Sequence, residues 1–575
     1  MPRLVKACAL FCAAFVLVSL PGRASDKQVP QNETPKFVSR TELVQVPVVV
    51  TNGSGHVAGL TKDDFVIEEN GKDKPIATFE EVKATPGSVR RTPGAFGQYS
   101  NMYAGATAPK SMTIFALDLI NTPFYDQAYA RQQLIKFLAS KLDAGEPTAL
   151  VLINRNGIRV LHDFTTDTSV LIAAMQKVLG EVPAIQLASQ DVGPELSAIE
   201  AFVNNGAGVD PYLELVQREA IMVTLESFQH VAEAFAGVPG RKSLIWATAA
   251  FPFGLDPKSG TIISPQFVSQ GAIQSTHAGA ELGSGNLPEL PSSTQIRSTE
   301  DLRSLEPLYQ RTFQMLSNSN IAVYPVDARG LIVYFPGADV SQIRGWNSVN
   351  RALFEASRET MVQFADVTGG HAFYNRNDLS GAFATAASDS TQYYMLGYYL
   401  DKNAKPGWHR LRVKVRTKGV NVQARNGFFV SGGEREKEDK KMDIRMALAS
   451  PLDYTAVPMT VLFNSKPETA GAKKKIGYRI VLPPEADLVD DRDNNHVSLE
   501  VFSVARTATG ADADQFGQHL ETNIKPGDLD RLRKDGITYS NAVEVPPGEY
   551  TVRFVVRDNL TGRIGSVSAP LRVSP

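Results

Sequence analysis

The residue of this 575-residue chain best placed to do chemistry is a carboxylate. Ser111-Met-Thr-Ile-Phe-Ala-Leu-Asp118 is an apolar run that ends on Asp118 and breaks at Leu119-Ile-Asn-Thr122. A run of that length reads as a strand buried on both faces. In open α/β sheets ligands bind where such strands end. A second acidic group, Asp491-Arg-Asp493-Asn-Asn495, has the opening spacing of a calcium loop. His496 stands where that loop needs glycine and Phe502 where it needs glutamate, so an acidic hairpin turn is the simpler reading. The eight histidines are scattered without HExxH, and neither GxSxG nor a phosphate loop is present, so an exported hydrolase lacks a motif.

Asp118 needs a strand beneath it and a helix beyond it, and the pattern supplies both. From Tyr125 to Leu142, Leu134, Leu138 and Leu142 fall at helical spacing, with Ile135 and Phe137 widening the apolar face. Ala149 to Ile153, Arg159 to Leu161, Ser243 to Thr248, Ile321 to Val326 and His371 to Tyr374 read as further strands. Helical periods recur at Ile221, Leu225, Phe228, Ala232 and Phe235, and at Val349, Leu353 and Ala356. This alternation predicts a doubly wound, mostly parallel sheet over 111–390, with 254–299 as a surface insertion.

The flanks are β text. Leu43 to Thr51, and Phe65 to Glu68 and Ile76 to Phe79 around the turn Asn70-Gly71, make residues 40–83 a set of strands too few to fold alone. Tyr393 to Leu400, His409 to Arg416 and Val420 to Ala424, within 391–431, are expected to complete them, so that the α/β domain is an insertion in one β-sandwich. Residues 84–110 read as a loop, 432–450 as a charged linker or the start of a short helix, and 451–575 as an Ig-like or fibronectin-like sandwich. Phe96, Tyr99 and Tyr103 in the first loop, and Trp346 near a strand end, read either as an interaction surface or as side chains tucked back onto the domain.

Hydrophobic content of 43% and charged content of 21% are those of a folded protein of about three or four domains. A net charge of −2 gives no basic surface for nucleic acid. Residues 1–24, with Arg3 and Lys6 before an apolar stretch and Gly22-Arg-Ala24 after it, read as a secretory signal. The expectation is a secreted or periplasmic protein with no transmembrane segment after signal cleavage. Both cysteines, Cys8 and Cys12, fall inside that signal, which leaves the mature chain no disulfide, thiolate metal site or cysteine nucleophile.

Gly240-Arg-Lys-Ser-Leu-Ile-Trp246, Ile321-Ala-Val-Tyr-Pro-Val-Asp-Ala-Arg-Gly330 and Thr368-Gly-Gly-His-Ala-Phe373, with the elements around Asp118, resemble the von Willebrand factor type A (VWA) fold. In particular they resemble the acidobacterial secreted VWFA-related family. Leu60-Thr-Lys-Asp-Asp-Phe-Val66 and Tyr393-Tyr-Met-Leu-Gly-Tyr398 extend the likeness over roughly 40–430. The resemblance implies a VWA domain inserted in a β-sandwich and acting as a non-catalytic protein or cell-surface ligand binding module; the alternative is a structural envelope assembly component. It also implies a metal-ion-dependent adhesion site, in which DxSxS, a later Thr and a later Asp hold Mg or Ca. Here that set is degenerate. Asp118 and Thr122 match, Asn121 is a substitute ligand, Thr224 is a weak candidate for the later Thr, and Ile120 and Ala249 stand where the motif has Ser and Asp.

Overall fold

The structure, a computed structural model, describes residues 43–83, 90–91, 97–104, 111–142, 146–178, 180, 211–251, 254–255, 262–263, 305–331, 344–401, 403–430, 436–464, 468–470, 472–490 and 495–574. The signal expectation, the acidic turn at 491–494, Phe96 and most of 254–299 lie outside these residues.

Ser111–Asp118 is buried at every position and sits in the middle of a five-stranded sheet. Numbered along the chain, the strands are Ser111–Asp118, Thr148–Asn154, Gly157–Thr165, Arg241–Thr248 and Ile321–Asp327, and their order across the sheet is 3-2-1-4-5. All neighbours are parallel except the edge pair Thr148–Asn154 and Gly157–Thr165. His371 to Tyr374 contributes a single parallel bridge, Phe373 to Val326, rather than a strand. Each face is covered by helices, which explains why these strands are apolar throughout instead of alternating. One face packs Leu134, Phe137 and Leu138 of Phe124–Ser140 and Phe383 of Leu379–Ser388 on Phe115, Leu117 and Tyr324. The other packs Leu225 and Phe228 of Pro211–Ala234, Phe313 of Glu306–Asn318 and Phe364 of Arg344–Thr368 on Ile114, Leu244 and Trp246.

Strands from both sides of this unit share sheets. Leu43–Asn52 runs antiparallel to Gln392–Tyr399, whose other edge takes Thr78–Lys83. Phe65–Glu69 pairs with Gly407–Val415. The two sheets enclose one apolar cluster that includes Val46, Val48, Ile67, Leu396 and Tyr398. The Asn70-Gly71 turn has both residues at positive φ, as a two-residue hairpin requires, but it returns the chain into Lys72–Lys74, with Glu69 opposite Lys72. The expected partner, Ile76 to Phe79, instead leads into Thr78–Lys83 in the facing sheet. Tyr393 ties the flank to the centre by accepting a hydrogen bond from the Arg241 N–H (3.0 Å).

The first loop is partly a strand. Gln98–Ser100 pairs with Thr460–Phe463 of the C-terminal region, and the buried Asn101 side chain donates to Tyr454 O and Val457 O and accepts from the Met459 N–H. Tyr99 packs edge-on to Phe463 and Tyr103 to Phe164. Both therefore pack back onto the chain, although Tyr99 keeps a partly exposed edge. Trp346 falls in the helix Arg344–Thr368, not in a loop.

Beyond Gly427–Val430 the helix Glu436–Ala449 buries Ala447, and its Asp443 pairs with Arg311 of the α/β unit and Arg557 of the C-terminal sheets. Those sheets enclose a separate cluster that includes Val461, Ile480, Val501, Phe554 and Val567. Tyr454, Val555 and Ile564 belong instead to the cluster under Phe228 and Trp246, so the C-terminal region shares apolar packing with the α/β unit. At this junction the Thr455 hydroxyl donates to Ala234 O and accepts from the Gly237 N–H.

Two titratable groups one helical turn apart face the same junction. Burial, reinforced by Asp443 and opposed by Arg311 and Arg557, raises Glu233 from 4.5 to about 7. Burial, reinforced by Arg553, lowers His230 from 6.5 to about 4, and its Nδ1 lies 2.7 Å from the Tyr454 hydroxyl. Folded Glu233 keeps a proton that the unfolded chain releases, so its contribution is full below pH 4.5 and falls as pH rises to about 7. Folded His230 stays neutral where the unfolded chain takes up a proton, so its contribution is full above pH 6.5 and falls as pH drops to about 4. Between pH 4.5 and 6.5 the two slopes cancel. In urea titrations at a series of pH values across that window, relative to the unmodified protein Glu233→Gln is expected to gain stability with rising pH and His230→Gln to lose it. Parallel profiles for all three would refute this assignment.

Candidate functional site

Numbered along the chain, the strand order reverses direction between the first and fourth strands, so Ser111–Asp118 and Arg241–Thr248 flank the topological switch point, where open α/β sheets form their crevice. Asp118 ends one strand and Thr248 the other. Ala116 is in register with Trp246, and side chains two residues apart share a face, so Trp246 and Thr248 fall on the Asp118 side.

Asp118 is fully buried, and its carboxylate is surrounded by donors. Oδ1 accepts from the backbone N–H groups of Ile120 (3.1 Å) and Asn121 (2.9 Å). Oδ2 accepts from Asn121 Nδ2 (2.8 Å), Trp246 Nε1 (3.0 Å) and Thr248 Oγ1 (2.8 Å). Burial pushes the carboxyl pKa up, and the hydrogen bonds from Asn121, Thr248 and Trp246 pull against it.

The remaining residues singled out from the sequence fall around this carboxylate. Asn121 Nδ2 also donates to Thr224 Oγ1 (2.8 Å), whose own proton goes to Ala220 O on the same helix. The structure thus brings Thr224 beside Asn121. Thr122 is buried and its hydroxyl accepts from the Ala249 N–H (3.1 Å). Gln127 anchors the turn by donating to Leu119 O and Thr122 O. Ile120 is a core side chain. Trp246 and Thr248 were not singled out from the sequence. The signal for them is the register of two neighbouring parallel strands, which one sequence does not print.

A second carboxylate closes the next strand. Asp327 receives a bidentate pair from Arg329, Nε and Nη2 each at 2.8 Å. Among the described residues no group of three or more His, Cys, Asp or Glu side chains converges as a metal cage would.

The rim outside these strand ends is apolar. Tyr125 is 82% exposed, Leu331 51%, Phe124 40% and Tyr374 37%. Among the described residues seven large hydrophobic side chains are exposed; of these four, Phe124 and Tyr125 follow the first strand, Leu331 follows the fifth, and Tyr374 follows Phe373, which bridges to Val326. The Arg358 guanidinium lies 5.2 Å from the Tyr374 ring centre. Tyr129 OH donates to Asn377 O and the Leu331 N–H to Asn377 Oδ1, which ties the three segments bearing the rim together.

No protein-family model matches the chain, and no curated protein matches it. Among solved structures it is similar to the vWF domain of the type V pili tip protein Mfa5 from Porphyromonas gingivalis, at 13% identity over 49% of this chain and 95% of that one, with a TM-score of 0.22. An aerotolerance-related membrane protein from Bacteroides fragilis aligns at 12% identity over 48% of this chain and 98% of that one, also with a TM-score of 0.22. The three N-terminal domains of Mfa5 align over 86% of this chain and 96% of that one, at 10% identity and a TM-score of 0.21. Likeness at these scores carries no argument about what this chain does.

Proposed function

We propose that residues 111–390 are a VWA-like domain, set between the flanking strands 40–83 and 391–431, which serves an exported protein as a non-catalytic protein-binding module. The observation that carries this is the rim of Phe124, Tyr125, Leu331 and Tyr374 beside the C-terminal ends of the first and fifth strands. Exposed aromatic and aliphatic side chains gathered on one face are what a protein interface uses.

We infer further that binding works without a resident cation. A divalent ion at Asp118 would have to displace the Asn121 amide, the indole N–H and the Thr248 hydroxyl from Oδ2, and Ala249 offers no ligand in return. These residues do not fit Mg or Ca. In this reading the network holds the crevice floor, and apolar contact supplies affinity.

The test is a photo-crosslinking amino acid placed at position 125, with position 399 as an exposed control, in cells that export the protein. A discrete adduct at 125, absent at 399 and abolished by Leu331→Glu, is the expected result. Equal adducts at both positions, or none at 125, would remove the rim as the contact face. The assembly reading has less behind it. The long edge strand Asp512–Asn523 carries Asp512, Asp514, His519 and Glu521, and charges on an edge oppose strand-to-strand stacking.

A further inference from the structure

The strand Gly407–Val415 of the flanking sheets alternates two kinds of side chain. His409 and Leu411 are buried, and Val413 and Val415 pack on the flank's apolar cluster. Arg410, Arg412 and Lys414, between them, are exposed. Arg416, the next residue, is exposed too, and its N–H donates to Asp64 O (2.9 Å), which carries the pairing with the neighbouring strand one step further. Side chains two apart on a strand share a face and recur about every 7 Å, so these four cations form a row about 20 Å long.

Of the four, Lys414 alone is matched among the described residues, by the Glu68 carboxylate. Arg410, Arg412 and Arg416 make no ion pair and no side-chain hydrogen bond there. The carboxylates beside the row are already engaged. Glu68, opposite Arg412, is held by Lys414; that bond lowers its pKa, and the charges of Arg412 and Arg410 add to the effect. Asp64 accepts from the N–H (2.7 Å) and the hydroxyl (2.8 Å) of Thr61. Asp73 lies opposite Glu68, one strand further out. On the other side of the row Gly427 stands opposite Arg410 and offers no side chain.

A chain of net charge −2 therefore gathers three unmatched guanidinium groups on one face of one strand. Like charges so placed repel, and a polyanion laid along them relieves the repulsion. The shape of the row selects among polyanions. It is one strand wide, so a flat membrane or the broad face of a duplex would meet Glu68 and Asp73 along with the cations. A thin chain lying along Gly407–Val415 would meet the cations alone. In an extended polypeptide, side chains two apart recur at the same spacing of about 7 Å. Carboxylates at alternate positions then fall in register with the row, and each guanidinium can take one through two parallel N–H bonds.

We propose that this row is a docking strip for an extended acidic protein segment, carrying carboxylates at alternate positions, which lies along Arg410, Arg412 and Arg416. The strip belongs to the flanking sheets and is independent of the apolar rim on the α/β unit. Its contribution is charge-matched and weakens with salt, whereas that of the rim is apolar.

The experiment is fluorescence anisotropy of the full chain with a labelled peptide of repeating Glu-Thr, and with one of repeating Glu-Thr-Thr that carries as many glutamates. At low salt the Glu-Thr peptide is expected to bind with Kd below about 100 μM, and the other at least about threefold more weakly. Arg410→Gln, Arg412→Gln and Arg416→Gln together are expected to weaken binding of the Glu-Thr peptide at least about tenfold. Lys473→Gln, Lys475→Gln and Arg479→Gln, which remove as many exposed cations from another strand, are expected to change Kd less than about twofold. No saturable binding, equal binding of the two peptides, equal losses in the two triple variants, or tighter binding of heparin or of phosphatidylglycerol vesicles than of the Glu-Thr peptide would overturn the strip. Arg412→Gln alone, expected to weaken binding about threefold, decides if the first triple variant no longer melts cooperatively.

Discussion

Asp118→Asn, although nearly isosteric, is expected to cost about 3 kcal/mol or more of stability. Whichever oxygen the amide nitrogen replaces, its two hydrogens meet donors: two backbone N–H groups at one position, or the Asn121 amide, the indole and a hydroxyl at the other. Relief from burying a charge, which raises the Asp118 pKa, returns part of the loss but leaves the misdirected donors unpaired. Trp246→Phe removes only one donor and is expected to cost less. The measurement is urea unfolding at neutral pH, repeated with millimolar magnesium or calcium. A resident cation at a hundred times its Kd would add roughly 3 kcal/mol. The expectation is no such gain. A neutral Asp118→Asn substitution, together with cation stabilisation that it abolishes, would reverse the reading of this site.

Gly237→Ala is expected to be comparably severe for a different reason. A Cβ there would stand 1.9 Å from the Thr455 carbonyl oxygen and 3.1 Å from its hydroxyl, and the first of these is backbone that cannot swing aside. The methyl group has to part the α/β unit from the segment entering the C-terminal sheets, and the Thr455 bonds to Ala234 O and the Gly237 N–H go with it. Overpacking of this kind costs about 1–3 kcal/mol, and more where main chain must move. Calorimetry is expected to show a single transition in the unmodified protein and two in the variant, as the C-terminal sheets melt apart from the remainder. One unshifted transition would show that the junction has slack the geometry does not suggest.

What the sequence made legible depended on the distance over which each signal acts. The central strands are apolar because helices cover both faces, and that property is local, so Ser111–Asp118 and Ile321–Asp327 could be read directly. Asp118 was visible as the residue that ends such a run. Its partners were not, because Trp246 and Thr248 reach it only through the register of a strand more than a hundred residues away. The same reason hid the fate of Tyr99 and Tyr103: their segment is Gly-, Pro- and Tyr-rich, and only its pairing with Thr460–Phe463 makes part of it a strand. Asn70-Gly71 fixed a turn but not the length of the arm after it. The polar run into Glu436–Ala449 left linker and short helix both open, because the apolar residues that the helix buries, Met446 and Ala447, come only near its end.

The pairing of Leu43–Asn52 with Gln392–Tyr399 has a kinetic consequence. The first described strand emerges from the ribosome or translocon several hundred residues before its neighbour exists. Until then Val46, Val48 and Val50 have nothing to cover them, and long-range closure of this kind makes assembly slow and exposes a sticky edge. A chain made amino-terminus first must therefore keep its leading strand waiting, so that anything binding Leu43–Asn52 before Gln392–Tyr399 is made competes with folding rather than with the folded protein.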